Sequence, residues 1–203
     1  FIHDDGCYAM PEAANFWVMY YRTDILNKLH LSIPKTWGDV IDMLPILYDN
    51  DMTFDTLLAN TGSLKPLVSM MPYLHQHGAS LYSQNGDRVN FLEPEFSQAF
   101  VSMTEMYTKY SVAHTIGSFF VSFRDGKSPI GIGDLSTYLQ LKNAAPELEG
   151  NWAIGPSIGV WQGDTLVYDQ PAVASGCYIM KSSSRTDDAW DFIKWWLSTE
   201  TQT

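Results

Sequence analysis

Cysteine is scarce in this chain of 203 residues: only Cys7 and Cys177 are present. Two thiols cannot build a metal centre alone, and their wide separation leaves one long-range disulfide or two buried thiols open. Positive charge is also thin, with 12 Lys plus Arg against 23 Asp plus Glu and a formal charge of −11. No basic stripe offsets that balance, which excludes nucleic acid and an anionic membrane surface as partners and favours a neutral or cationic ligand. Long apolar runs are missing too. Uncharged apolar stretches such as Phe16 to Tyr21 and Ser128 to Gly133 fall far short of the roughly 18 to 20 residues of a spanning helix. No internal repeat, low-complexity tract or long linker interrupts the chain. It opens on Phe1 without a Met and closes just after a helix-like segment. It therefore reads as a piece of a longer protein, with any signal peptide or lipid anchor outside it.

What is present is a folding composition: 45% hydrophobic residues, with 7 Trp, 11 Tyr and 10 Phe, too apolar for disorder. Helical and strand patterns alternate, which argues an α/β class. Gly6 to Met10 and Phe16 to Tyr21 read as strands, and Thr23 starts a short helix through Leu29. Thr36 caps a helix over Trp37 to Tyr48. Met52 to Ala59 reads as a strand. Leu64 to His77 reads as a helix with Pro66 in its first turn, a kink or break at Pro72 and a stop at Gly78. Phe96, Ala99, Phe100, Met103, Met106, Tyr107 and Tyr110 recur at helical spacing behind Pro94, which predicts an amphipathic core helix. Ser128 to Gly133 is a strand and Thr137 to Ala144 a helix, so Gly133-Asp134-Leu135-Ser136 is a strand-to-helix junction. Trp152 to Ile154 is a strand, Gly155 to Asp169 a loop and Ala172 to Met180 a strand. Ser184 and Asp187 have capping-box spacing before a helix whose Trp190, Phe192 and Ile193 are expected to pack inward.

Several short patterns invite chemistry and are outweighed by blander readings. Gly155-Pro156-Ser157-Ile158-Gly159 matches the G-x-S-x-G elbow of serine hydrolases, but that motif needs a helix directly after the serine, where Gly159, Gly163 and the lack of a helical period argue a loop. Gly131-Ile132-Gly133 is half a dinucleotide fingerprint with Ser136 in place of the third glycine. Asp134 and Ser136 at this helix start either cap the helix or also face a ligand. Asp49, Asp51, Thr53 and Asp55 alternate like a calcium loop, yet Phe54 and Asn60 stand where Gly and a bidentate Glu belong. His75 and His77 point to different helix faces, and His3 beside Asp4 and Asp5 reads as a solvated turn. The pairs Glu93/Glu95 and Asp187/Asp188 complement helix dipoles rather than flank a glycosidic bond.

Five segments in order resemble one family, the extracellular solute-binding proteins of ABC importers that take carbohydrates. They are Tyr8-Ala9-Met10-Pro11 with Tyr20-Tyr21-Arg22-Thr23-Asp24-Ile25-Leu26; Ile33-Pro34-Lys35-Thr36-Trp37-Gly38-Asp39-Val40; Phe123 to Ile132; Gly176 to Lys181; and Asp188 to Trp196. Pro129-Ile130 replaces the commoner Ala-Met of the third segment. The resemblance implies a periplasmic-binding-protein-like (type II) α/β fold whose two lobes close on a sugar. Residues 12–155 would form a nearly complete lobe, and residues 1–11 with 156–203 a partial second one.

The resemblance further implies a non-enzyme without cofactor or metal, a monomer outside the cytoplasm as a periplasmic protein or cell-surface lipoprotein. Its partners would be a carbohydrate and the permease subunits of an importer; a carbohydrate-active hydrolase is the alternative. Sugars offer flat C–H faces and vicinal hydroxyls, so aromatic rings with carboxylates or amides suit them. Carried over position by position, Asn15 falls at a hinge-strand carboxylate of the family, with Phe16 and Trp17 beside it. Ser136 falls at a stacking Trp, which Asp134 and Tyr138 stand close enough to replace. Asn60 and Ser63 lie in a third ligand segment, from Asn60 to Lys65. Cys7 and Cys177 would share a lobe, so a disulfide or two thiols remain open there.

Overall fold

A computed structural model describes residues 1–3, 6–56, 65–112 and 118–202. These fall into two compact units, Phe1–Asn15 with Ala172–Thr203 and Phe16–Pro171. The elements of the first stretch are β1 (Ile2–His3), β2 (Gly6–Cys7) and β3 (Met10–Asn15). The larger unit follows with β4 (Trp17–Arg22), α1 (Thr23–Lys28), α2 (Trp37–Asp49), β5 (Phe54–Asp55), α3 (Lys65–Gln76), α4 (Pro94–Thr108) and α5 (Phe119–Arg124). It continues through β6 (Ile130–Asp134), α6 (Leu135–Ala144), β7 (Trp152–Gly155), β8 (Val160–Gln162) and β9 (Thr165–Val167). The chain returns to the smaller unit with β10 (Val173–Cys177), α7 (Thr186–Trp196) and α8 (Thr199–Gln202).

The larger unit is organised around a four-stranded sheet in the order β5-β6-β4-β7. β5 runs parallel to β6, while β4 is antiparallel to both β6 and β7. Side chains alternate across a strand, and β4 divides accordingly. Trp17 and Met19 enter a core with Trp37, Phe54, Leu74 and Met106, whereas Tyr20 enters a second core with Phe123, Leu141 and Leu148 on the opposite face. Burying both faces under helices gives a three-layer α/β arrangement.

Local chemistry accounts for some of the helix ends. Thr36 Oγ1 accepts from Asp39 N–H at 3.1 Å while Asp39 Oδ2 accepts from Thr36 N–H at 2.9 Å, a reciprocal capping box at the start of α2. Pro94 opens α4 in the first turn, and Gly78, at φ 71°, follows the end of α3, which carries Pro72 inside it.

Four expectations need correction. Phe100 is exposed on α4 although Phe96, Ala99 and Met106 are buried, because the apolar spacing is wider than the covered stripe. Residues 155–169 contain the β8–β9 hairpin, whose turn Gly163 makes with a positive φ of 57°. The N-cap of α7 is Arg185 and not Ser184, with no side-chain cap bond; Arg185 Nε instead donates to Asp188 at 2.8 Å. On α7, Ile193 is buried but Trp190 and Phe192 are about half exposed. The described part of the smaller unit holds only two-stranded sheets and two helices, which cover one row of that helix.

Cys7 and Cys177 are free thiols, exposed and half-buried respectively rather than both buried as expected, and they line one cavity of about 390 Å³ in the smaller unit. Burial and the carboxylate of Glu12 push the Cys177 thiol above its ordinary range. That carboxylate also accepts from Trp196 Nε1 at 2.8 Å, tying β3 to α7.

Candidate functional site

The antiparallel register sets Trp17 opposite Asp134 and Tyr21 opposite Ile130. The start of β4 therefore meets the end of β6, and parallel β5 ends nearby with Thr56 next in sequence. Strand carboxyl ends in open α/β sheets leave side chains and helix N-termini converging on a crevice. Trp17 is locked there through its backbone: its N–H donates to Gln170 Oε1 at 3.2 Å, and Gln170 Nε2 donates to its carbonyl at 2.7 Å. Asp134 is the N-cap of α6. Its carboxylate accepts from the backbone N–H and the hydroxyl of Ser136, and its carbonyl accepts from Tyr20 Oη at 2.7 Å.

Glycine is required at position 131. A Cβ there would stand 2.7 Å from the Phe119 ring and 2.8 Å from the Asp55 carbonyl oxygen, so the Gly-x-Gly pattern lets β5 and α5 pack closely against β6.

Two concavities adjoin these strands. The first, about 550 Å³, is a groove between α6 and β7 lined by Tyr138, Lys142, Glu149 and Trp152. Tyr138 and Trp152 meet there edge to face with ring centroids 5.8 Å apart, and Lys142 pairs with Glu149 at 3.3 Å. The second is a small cavity of about 20 Å³ beneath Trp17, walled by Trp37, Tyr73 and Tyr107. Tyr107 shares a 2.8 Å hydroxyl bond with Thr56. Burial pushes the Tyr107 phenol up to about 12, and the Asp55 charge adds to this; Tyr73 is driven well above the usual range by burial and by Tyr107.

The structure thus brings Trp17, Asp134 and Ser136 to one end of the sheet. Tyr138 lies one turn into α6 and opens on the groove, while Phe16 is exposed. Asn15 ends β3 in the smaller unit, paired with Val173, and Asn60 and Ser63 lie outside the described residues. Sequence reasoning missed Thr56, Tyr73 and Gln170 as part of this end of the sheet. Tyr107 was visible only as a member of the α4 stripe, and the polar bonds that place these residues join positions far apart in sequence.

Ser157 stands between β7 and β8 and is buried. A strand rather than a helix follows it, so the nucleophile-elbow context is not formed.

The family described as bacterial extracellular solute-binding protein matches residues 2–203. The chain belongs to that family. Among solved structures, a solute-binding protein of an ABC transporter from Thermotoga lettingae bound with α-D-tagatose is similar at 19% identity and TM-score 0.75, over 96% of this chain and 51% of that one. An ABC substrate-binding protein from Listeria monocytogenes in complex with cycloalternan gives 18% identity and TM-score 0.76, over 98% and 50%. The sugar-binding protein MalE from Xanthomonas citri gives 20% and 0.74, over 99% and 51%. No curated protein matches the chain.

At these identities the likeness shows the fold, the mixed α/β class of type II periplasmic-binding-protein-like proteins. This solute-binding protein chain spans about half the length of the structures it matches. Among its described residues no helix is long and apolar enough to cross a membrane.

Proposed function

We propose that the chain supplies a ligand wall of an ABC-importer solute-binding protein that captures a neutral sugar or polyol outside the cytoplasm and delivers it to permease subunits. The larger unit is read as the nearly complete lobe and the smaller as part of the second, in a periplasmic protein or cell-surface lipoprotein that works as a monomer without catalysis. The observation that carries this reading is the family match over residues 2–203; the tagatose and cycloalternan named with the similar structures support the ligand class.

The chemistry at the carboxyl end of the sheet agrees. Indole and phenol faces suit sugar C–H surfaces, a carboxylate at Asp134 can accept from two vicinal hydroxyls, and a surface of formal charge −11 disfavours anionic solutes.

A ligand that binds only the folded state raises stability by RT ln(1 + [L]/Kd). Maltose or ribitol at tens of millimolar is therefore expected to raise the melting temperature, while citrate does not. Asp134→Asn keeps an oxygen for the α6 cap and removes the charge. It should weaken sugar affinity about tenfold, in line with loss of a charged hydrogen bond worth roughly 1.5–3 kcal/mol, and leave the unliganded melting temperature nearly unchanged. Equal affinity in the variant would remove Asp134 from the site, and stabilisation by citrate but by neither neutral solute would overturn the reading.

A further inference from the structure

The small cavity beneath Trp17 has room for about one water molecule or one hydroxyl group, and five of the residues around it carry a hydroxyl: Thr56, Ser69, Tyr73, Tyr107 and Ser157. Each of these except Tyr107 is less than a tenth exposed. Buried hydroxyl-bearing residues grouped around one small cavity call for a reason in a packed core.

Tyr73 is the informative member. Its ring stacks on Trp37 with centroids 4.5 Å apart and planes 20° apart. Trp37 is itself fixed, donating from Nε1 to Gln76 Oε1 at 3.0 Å, and Gln76 Nε2 donates to the Ile158 carbonyl at 2.7 Å. The phenol oxygen is thus held in place, buried, and without a hydrogen-bond partner among the described residues. Leaving a buried polar group unsatisfied is costly, and phenylalanine would fill the same space without that cost. Thr56 and Tyr107, also around the cavity, are joined by one hydrogen bond in which one hydroxyl donates to the other, so acceptor lone pairs remain on both oxygens.

We infer that this cavity is a hydroxyl-recognition subsite. The Tyr73 O–H donates to one hydroxyl oxygen of a neutral sugar or polyol, and the proton of that hydroxyl is accepted by the Thr56–Tyr107 pair. The cavity is too small for a carboxylate or phosphate and, among the described residues, is lined by no cation. The inference rests on the sugar-capture reading and adds to it a specificity determinant, selecting one hydroxyl by donor, acceptor and size.

The test is a nuclear magnetic resonance titration of the chain and of Tyr73→Phe with maltose, its monodeoxy analogues and ribitol. One monodeoxy analogue is expected to bind the unmodified chain at least tenfold more weakly than maltose. Tyr73→Phe should lose a similar factor for maltose and bind that analogue as the unmodified chain does, with an unliganded melting temperature unchanged or higher. Thr56→Val, which removes one of the two acceptor oxygens with little change of shape, should reproduce part of the loss and serves if Tyr73→Phe fails to fold. Maltose and every analogue bound equally by chain and variants would mean that the cavity holds an internal water only, sinking this inference while sugar capture stands. No shift with maltose or ribitol would overturn both.

Discussion

Replacing Arg22 by leucine should destabilise the chain by about 2–4 kcal/mol, since the guanidinium is buried but its Asp24 partner is 36% exposed, which discounts the roughly 3–5 kcal/mol of a fully buried charge pair. At roughly 2–4 °C per kcal/mol for a protein of this size, the melting temperature falls by about 10 °C. Arg22 ends β4 and is buried. Its Nε and Nη2 donate to the two carboxylate oxygens of Asp24 at 2.8 and 2.7 Å. Nη1 donates to the carbonyls of Phe123 and Arg124 at 3.2 Å each, where a cation also complements the carboxyl end of α5.

Lysine cannot replace that planar fork, so Arg22→Lys should fall near the leucine variant. The Arg22 guanidinium holds the Asp24 carboxyl below its ordinary range. A depressed carboxyl contributes stability above its unfolded value, and that contribution is lost as pH falls through the folded one. Thermal melts between pH 7 and pH 2 should therefore show an acid-sensitive limb that Arg22→Leu flattens. A melting temperature within 2 °C of the parent would mean that this network is not structural.

Tyr20→Ala is expected to cost about 3–5 kcal/mol, as for other large aromatic truncations in a core. Tyr20 is fully buried with Phe119, Phe123 and Trp152 around its ring at centroid distances of 6.0, 6.4 and 6.2 Å. Tyr20→Phe keeps that packing and removes only the bond to the Asp134 carbonyl, so about 0.5–1.5 kcal/mol is lost.

The parent and the Tyr20→Phe variant also differ in alkali. Burial pushes the Tyr20 phenol up to about 12. A raised folded value means stability that is fully present below the ordinary value of 10.0 and is lost as pH rises through about 12. Denaturant titrations at pH 9 and pH 11.5 should show a smaller alkaline loss for Tyr20→Phe than for the parent. An identical loss in both would assign the alkaline sensitivity to other phenols.

What could be read in the sequence was what depends on near neighbours. Thr36 and Asp39 stand three apart and form the capping box of α2. Strand β4 has the continuous apolar run that a two-sided core demands, and the β6-to-α6 junction was visible from Gly133 to Ser136, with Asp134 as its cap. Periodicity found α4 but could not say that Phe100 would be left outside, since a repeating pattern does not reveal how wide a face the neighbouring helix covers. A cluster of Gly and polar residues concealed the β8–β9 hairpin. The cavity beneath Trp17 was illegible because it is assembled from β4, α2, α3, α4 and loop positions with no shared motif. Tyr73 in particular sits in an apolar helical run where sequence alone cannot distinguish a needed hydroxyl from a phenylalanine.

The central claim, that a neutral sugar is captured at the carboxyl end of the larger unit's sheet, can be read from the indole N–H signals of the seven tryptophans. Trp17 and Trp37 line the cavity there, Trp152 lines the groove, and Trp190, Trp195 and Trp196 belong to α7 of the smaller unit. On titration with maltose in a ¹⁵N–¹H correlation experiment, the Trp17 and Trp37 signals are expected to move along a saturating curve while those of α7 stay in place. Signals that move only on α7, or none that move up to tens of millimolar sugar, would contradict it.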